Sequence, residues 1–143
     1  MLRSSLWVAA LVLLGSAGGA LAQPAGNAEN GADVFKKCRA CHMIGEGART
    51  LVGPAQNNLI GRKAGTVEGY AYSPLNKAAG EAGLVWTEQA VFEYLADPNA
   101  FLKKFLTDKG KADQATGSTK MAFKLADEQD RRDVVAYLKT FSK

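Results

Sequence analysis

Two cysteines and a histidine stand together in this sequence, and few kinds of chemistry are open to them. Cys38 and Cys41 are the only cysteines of the chain, two residues separate them, and His42, the only histidine, follows directly. Such a group could form a redox-active disulfide, half of a zinc site, a structural disulfide of an exported protein, or a haem-attachment site. The sequence lacks the βαβ pattern of a thioredoxin-like motif and the four ligands of a structural zinc site.

Haem attachment fits the spacing best. Residues three apart lie on one face of a helix, so both thiols can reach one edge of a haem and form thioether bonds with its two vinyl groups. His42 can then turn its ring toward the iron as the proximal ligand. We therefore predict one covalent haem c on Cys38 and Cys41, because this spacing is a haem-attachment signature. A structural disulfide is the alternative in an exported protein.

A second iron ligand has to come from another part of the chain. Of the three methionines, Met1 would be lost with the leader described below, and Met43 adjoins His42 and cannot reach the opposite face of the haem. Met121 is the remaining thioether, and a thioether opposite an imidazole raises the iron reduction potential and closes the iron to external ligands. We predict ligation by His42 and Met121, which favours electron transfer over catalysis. The alternative is a haem enzyme or ligand sensor with an open sixth coordination site.

The first 22 residues have the pattern of a signal peptide. Arg3 precedes an apolar run over residues 6–14, and small residues lead to an Ala-Leu-Ala exit at residues 20–22. The run is short for a membrane span, so an uncleaved anchor is the weaker alternative. We expect residues 1–22 to be cleaved and residues 23–143 to form one domain in the periplasm, not embedded in the membrane.

Composition and periodicity favour an all-α domain. In 143 residues, 47% are apolar and 22% are charged, which is a globular balance and not that of a disordered chain. Neither strand alternation nor an internal repeat is evident. Helical patterns are predicted over residues 29–41 and 74–79, after a cap at Thr87, after Asp97-Pro98, and over residues 127–141. The long glycine-rich loops between them leave a thin core, so we expect a large apolar group in the middle.

The positive charge indicates a possible docking surface. The net charge is +4, and lysines flank both the cysteine motif and the segment around Met121. We predict docking to acidic partners through Lys36, Lys37, Lys103, Lys104, Lys120 and Lys124. A basic ring of this kind would steer such partners, although an ordinary solvated surface is the alternative. Nucleic acid is excluded as a partner, because no dense basic cluster is interleaved with aromatic residues.

In their order along the chain, these landmarks resemble the class I c-type cytochromes, and more narrowly the cytochrome c2 group of purple bacteria, from Gly31 to Lys143. The resemblance implies one domain of short helices and long loops wrapped around one covalently bound haem. It implies a monomeric electron carrier and not an enzyme, with a cytochrome bc complex as donor. A photosynthetic reaction centre or a terminal oxidase is the implied acceptor. Gly31 and Phe35 match residues that pack against Val134 and Tyr137.

The resemblance also implies roles for five residues of the haem pocket. They are Pro54, whose carbonyl would accept a hydrogen bond from the proximal histidine, Arg62, Tyr72 and Trp86, which would support the propionates, and Tyr94, near the methionine sulfur. Core packing is the alternative for the three aromatic residues. The chain departs from the family pattern at Gln56, a usually apolar haem contact, and at Asn58, a usual glycine. Asn58 can adopt the left-handed conformation, whereas the Gln56 amide needs a partner or a shifted backbone.

Overall fold

The computed structural model describes residues 25–143, and within them the architecture is helical. The helices are α1 (Ala28–Phe35), α2 (Pro74–Glu81), α3 (Glu88–Ala96), α4 (Pro98–Asp108) and α5 (Glu128–Lys139), with a 3-10 turn at Ala112–Gln114. In this part of the chain, β pairing is limited to an isolated antiparallel bridge between Lys63 and Val85. The predicted all-α class is therefore confirmed. The predicted signal peptide lies outside the described residues.

Side-chain caps mark where all five helices in the described part of the chain begin, and Asn27 is the cap of α1. Ser73, Thr87, Asp97 and Asp127 each precede a helix and accept a hydrogen bond from the backbone amide three residues later. Each cap satisfies an amide that has no partner inside its helix. Proline at the first position of α2 and α4 favours the same starts. The four predicted starts are confirmed, and α2 runs two residues beyond its predicted end at residue 79.

The crossing of α1 and α5 depends on a glycine. A Cβ atom on Gly31 would lie 2.0 Å from the carbonyl oxygen of Asp133 and 2.7 Å from the Cβ atom of Tyr137. The two backbones can therefore approach closely only because this side chain is missing. Beside the crossing, the rings of Phe35 and Tyr137 lie 5.5 Å apart, and Val134 is buried. The predicted packing of these four residues is confirmed.

The predicted first helix ends too late, because α1 stops at Phe35 and not at residue 41. After Phe35 the amides bond to carbonyls three residues back, with distances of 2.8 Å from Cys38 N to Phe35 O and 3.1 Å from Cys41 N to Cys38 O. This tighter winding replaces the regular helical ladder. The two cysteines therefore lie on consecutive turns that carry the chain away from the helix.

The core lies between the helices and leaves room beside the loops. Leu75, Leu102, Leu106 and Val134 are fully buried, and α3 packs against both α4 and α5 while α2 packs against α4. A cavity remains between this core and the irregular segments 36–72 and 115–127. Within residues 25–143, no helix has the length and apolar character needed to cross a membrane.

Candidate haem site

The cavity gathers the residues whose chemistry the sequence singles out. Its volume is about 460 Å³, within the range of roughly 300–1,000 Å³ that cofactor sites occupy. Cys38, Cys41, His42 and Met121 all line it. The pocket residues inferred from the family resemblance also line it, namely Pro54, Arg62, Tyr72, Trp86 and Tyr94. Apolar side chains such as Phe35 and Leu138 make up much of the remaining wall.

The side chains of the two cysteines are half-buried in the cavity wall, and they form no disulfide with each other. Burial raises the pKa of the Cys38 thiol, and the neighbouring Cys41 adds to this rise while Lys37 opposes it. Desolvation has this effect because it disfavours the thiolate. A neutral thiol is compatible with an apolar cavity that would hold the edge of a haem.

His42 is oriented by the loop that follows it. Its Nδ1 atom lies 2.8 Å from the carbonyl oxygen of Pro54, so an Nδ1 proton can be donated there and Nε2 is left to bind a metal. Burial lowers the pKa of His42, the Pro54 carbonyl raises it, and the charge of Arg62 lowers it. The neutral ring, which burial favours, is the form that metal ligation requires.

Gly53 lies directly against the histidine ring. A Cβ atom at this position would be 2.3 Å from the Cε1 atom of His42, so only glycine leaves space for the ring as it is placed here. The Gly53 amide donates to the carbonyl oxygen of Cys41 at 2.8 Å. The loop and the histidine are therefore held in one arrangement.

The two departures from the family pattern have clear structural outcomes. Asn58 adopts a positive φ of 56°, which confirms that it can replace a glycine at the turn. Gln56 is buried, and its Nε2 atom lies 2.8 Å from the oxygen of Pro54 and 2.9 Å from Nδ1 of His42. The amide has therefore found a partner at the site.

Arg62 and Tyr72 form a polar part of the wall. The Nη1 atom of Arg62 donates to the carbonyl oxygens of Ala55 and Asn57 at 3.1 and 3.2 Å. Burial lowers the pKa of Arg62 and raises the pKa of Tyr72. The Tyr72 hydroxyl oxygen accepts from the Val67 amide at 3.3 Å. A cationic group and a phenol thus lie at one cavity wall, where carboxylates of a ligand could bind.

Trp86 and Tyr94 pack against each other at another part of the wall. Their ring centroids are 4.8 Å apart in an edge-to-face arrangement. The Tyr94 hydroxyl lies 3.4 Å from the hydroxyl of Thr119, and burial raises the pKa of Tyr94. Both residues therefore contribute to core packing as well as to the cavity surface.

Thr119, which is not among the site residues predicted from the sequence, holds the backbone of Met121. The Thr119 amide donates to Oδ1 of Asn99 at 2.8 Å, and its own hydroxyl oxygen accepts from the Met121 amide at 3.3 Å. Thr119 is buried although it stands in a polar stretch without periodicity. No local pattern distinguishes it from its exposed neighbours, so the sequence offers no signal for this role.

The lysines predicted for docking differ in their surroundings. Only Lys37 and Lys120 of the six line the cavity. Four of the six lie within 2.5–2.8 Å of carboxylates, in the pairs Lys36–Asp33, Lys37–Asp130, Lys104–Asp108 and Lys124–Asp97. Lys120 donates to the carbonyl oxygen of Ala71. Exposed ion pairs add little stability, but each carboxylate weakens the positive field around its lysine.

Comparisons with known proteins identify the family to which the chain is similar. The Cytochrome c family model matches residues 28–142. A cytochrome c2 of Rhodopseudomonas palustris is 64% identical over 114 residues, which cover 80% of this chain and 97% of that protein. A cytochrome c2 iso-2 of Rhodospirillum centenum is 62% identical over 117 residues, covering 82% and 97%. The solved structure of cytochrome c2 from Rhodospirillum centenum aligns with a TM-score of 0.81 at 61% identity, covering 82% of this chain and 100% of that one.

The chain belongs to the cytochrome c family. Within that family it is closely similar to cytochrome c2 of purple bacteria, both in sequence and in fold. The predicted cofactor, one covalent haem c, and the predicted class, a haem-based electron carrier and not an enzyme, are confirmed by this membership. The mostly apolar cavity, with a Cys-x-x-Cys-His motif in its wall, fits such a group.

Proposed function

We propose that this chain is an exported, monomeric one-electron carrier in which His42 and Met121 bind the haem iron and Cys38 and Cys41 attach the haem. The observation that carries the proposal is that the three side chains of residues 38–42 and the distant Met121 line one cavity. The haem, when bound, supplies a one-electron change between ferric and ferrous iron. The protein supplies orientation, exclusion of water and control of the potential.

The chain's own residues have distinct tasks in this proposal. Pro54 holds the His42 ring through the 2.8 Å contact at Nδ1, and Thr119 holds the backbone of Met121. The apolar wall disfavours the additional positive charge of the oxidised form, which raises the reduction potential in the same direction as a thioether ligand. Arg62, together with Tyr72, offers a charge and a hydroxyl to the haem propionates, and Trp86 and Tyr94 complete the pocket.

The leader pattern and the family membership support a proposed location and proposed partners. We propose that residues 1–22 direct export to the periplasm and are removed there. The mature carrier, residues 23–143, takes electrons from a cytochrome bc complex and passes them to a photosynthetic reaction centre or a terminal oxidase. The similarity to cytochrome c2 proteins of purple bacteria supports the carrier role in this proposal. The N-terminal sequence of the periplasmic protein would test the cleavage, since a mature chain that begins at Met1 would contradict it.

Replacing Met121 with leucine tests the proposed ligand set. Met121→Leu should keep the haem attached, lose the sulfur-to-iron charge-transfer band of the oxidised state, lower the reduction potential and let carbon monoxide bind rapidly to the reduced iron. Met43→Leu is the matched control and should resemble the parent in all four properties. A Met121→Leu protein with the parent's band and potential would show that the ligand is another group. Rapid carbon monoxide binding by the parent would favour an open sixth site.

Substituting the two lysines at the cavity tests whether the lysine-rich surface docks acidic partners. Lys37→Gln combined with Lys120→Gln should slow reduction by a cytochrome bc complex at low salt, and the difference should shrink as salt screens the charges. Lys139→Gln is the control, because it also removes an ion-paired lysine but belongs neither to the six predicted docking lysines nor to the cavity wall. Equal rates for all variants at low salt would remove the docking proposal.

A further inference from the structure

Gln56 is a buried polar side chain at the site to which the proposed function gives no role. Its residue is 9% exposed. Its Nε2 atom is 2.8 Å from the Pro54 oxygen and 2.9 Å from Nδ1 of His42, and Nδ1 is itself 2.8 Å from the same oxygen. The three atoms form a triangle in which every side is a hydrogen-bonding distance. Burying an amide is costly unless it is bonded, so the bond that Gln56 makes here matters.

The backbone holds this triangle in place. The backbone amide of Gln56 donates to the carbonyl oxygen of Met43 at 2.9 Å, and the backbone amide of Gly53 donates to the carbonyl oxygen of Cys41 at 2.8 Å. These two bonds tie the loop of residues 53–56 to residues 41–43, which carry His42. The Gln56 side chain therefore starts from a fixed point beside the histidine ring.

The positions of the protons decide which contact is a hydrogen bond. When His42 binds iron through Nε2, Nδ1 carries a proton and donates it to the Pro54 oxygen. A carbonyl oxygen has two lone pairs, so the side-chain amide of Gln56 can donate to the same oxygen. The opposite orientation of the amide would place its own oxygen 2.8 Å from the Pro54 oxygen, and two acceptors at that distance repel. Nε2 of Gln56 therefore donates to the Pro54 oxygen, and its 2.9 Å approach to the protonated Nδ1 of His42 is a contact between two donors and not a hydrogen bond.

We propose that Gln56 is a positioning residue that shares the Pro54 carbonyl oxygen with His42 and thereby raises the reduction potential of the iron. The proposal rests on His42 being the iron ligand, as in the proposed function. A second donor at the oxygen weakens the Nδ1–H bond, so the imidazole donates less electron density to the iron. This loss of electron donation destabilises the oxidised iron more than the reduced iron, because the oxidised iron carries the additional positive charge.

Gln56→Leu is the direct test. It removes the donor while keeping a side chain of similar bulk, and the ratio of reduced to oxidised protein at a fixed potential should fall by about twofold to tenfold, the equilibrium effect of one hydrogen bond. A tenfold fall corresponds to 59 mV in a one-electron couple. Added apolar surface alone would raise the potential, so a decrease identifies the loss of the donor. An unchanged or raised potential would overturn the proposal.

A control in the same loop separates positioning from general loosening. The Asn57 side chain bonds to the amide and the carbonyl of Gly45, both at 2.8 Å, and does not contact His42 in these bonds. Asn57→Leu should lower stability but leave the potential close to that of the parent. If Asn57→Leu lowers the potential as much as Gln56→Leu does, the effect belongs to the loop and the proposal fails.

A measurement on the parent protein keeps the proposal testable if the Gln56 variant does not fold. In nitrogen-15 NMR of the reduced holoprotein, one proton on Nε2 of Gln56 should exchange slowly with solvent because it is bonded to Pro54. Fast exchange of both protons would contradict the proposal. The two proposals fail differently: a parent spectrum without histidine and methionine ligation removes the proposed function, whereas an intact spectrum with an insensitive potential removes only the role of Gln56.

Discussion

Replacing Gly53 with alanine should displace the histidine ring on which the proposed function depends. The new Cβ atom would lie 2.3 Å from Cε1, 2.7 Å from Nδ1 and 2.9 Å from Nε2 of His42. Carbon atoms pack comfortably at about 3.5 Å, so the ring or the loop would have to move by about 1.2 Å. The loop resists this movement, because the Gly53 amide is bonded to the carbonyl of Cys41 at 2.8 Å.

The displacement should be visible in both stability and redox properties. Overpacking of this kind typically costs about 1–3 kcal/mol of unfolding free energy. The moved ring would also lose its alignment with the Pro54 carbonyl, and disturbing such a supporting bond typically weakens metal binding by about 10–100-fold. Guanidinium unfolding of the holoprotein, followed by absorption of the haem, measures the first effect. The oxidised spectrum and the reduction potential measure the second.

Gly31→Ala is the matched control for this prediction. Its Cβ atom would meet the carbonyl oxygen of Asp133 at 2.0 Å, so it overpacks the crossing of α1 and α5 without touching the histidine. Both variants should unfold at lower denaturant, but only Gly53→Ala should change the spectrum and the potential. A Gly53→Ala protein that matches the parent in all three measurements would refute the reasoning, and equal spectral changes in both variants would show only a general loosening.

Two further predictions concern stability. Asp97 pairs with Lys124 at 2.6 Å and caps α4. Both bonds, the Lys124 bond more strongly, lower the pKa of Asp97 from its ordinary value of 3.8. The stability that the Asp97 carboxylate provides is therefore complete above the pKa of the unfolded chain and is lost as the pH falls below 3.8 through the lower pKa of the folded protein. Asp97→Asn, which keeps a cap but loses the charge, should be less stable than the parent at pH 7, and urea unfolding should show that gap closing in acid; a gap of constant size would contradict it. Leu102 is fully buried, so Leu102→Ala should cost about 2–5 kcal/mol in denaturant unfolding. Leu51→Ala, at a residue that is 40% exposed, is its control, and an equal loss in both would contradict the assigned core.

The helix starts could be predicted from the sequence because capping is a local event. A serine, threonine or aspartate binds an amide three residues away, so the chain needs no distant partner to begin a helix. Ser73, Thr87, Asp97 and Asp127 all do this. The cysteine motif is local in the same sense, since three residue types at fixed spacing define its chemistry.

The end of α1 and the partners of the buried polar groups could not be predicted in this way. The helical pattern of the sequence continues beyond Phe35. The change to hydrogen bonds between residues three apart depends on where the chain must turn toward the cavity. Gln56 and Thr119 are polar residues in irregular segments, and their burial depends on contacts with distant or folded-back parts of the chain. Periodicity carries no information about such contacts.

The two sides of the site are held by different kinds of bonds, and this affects how each responds to substitution. Apart from the Gln56 side chain and the close contact at Gly53, the His42 side is tied by backbone bonds, which almost any residue can supply because each non-proline residue carries an amide and a carbonyl. The Met121 side is held through side chains, from Asn99 to the Thr119 amide and from the Thr119 hydroxyl to the Met121 amide. Changing Asn99 or Thr119 therefore removes a bond that its neighbours cannot replace. Apart from changes at Gly53 and Gln56, single substitutions should therefore alter the methionine side more readily than the histidine side, while leaving the helices intact.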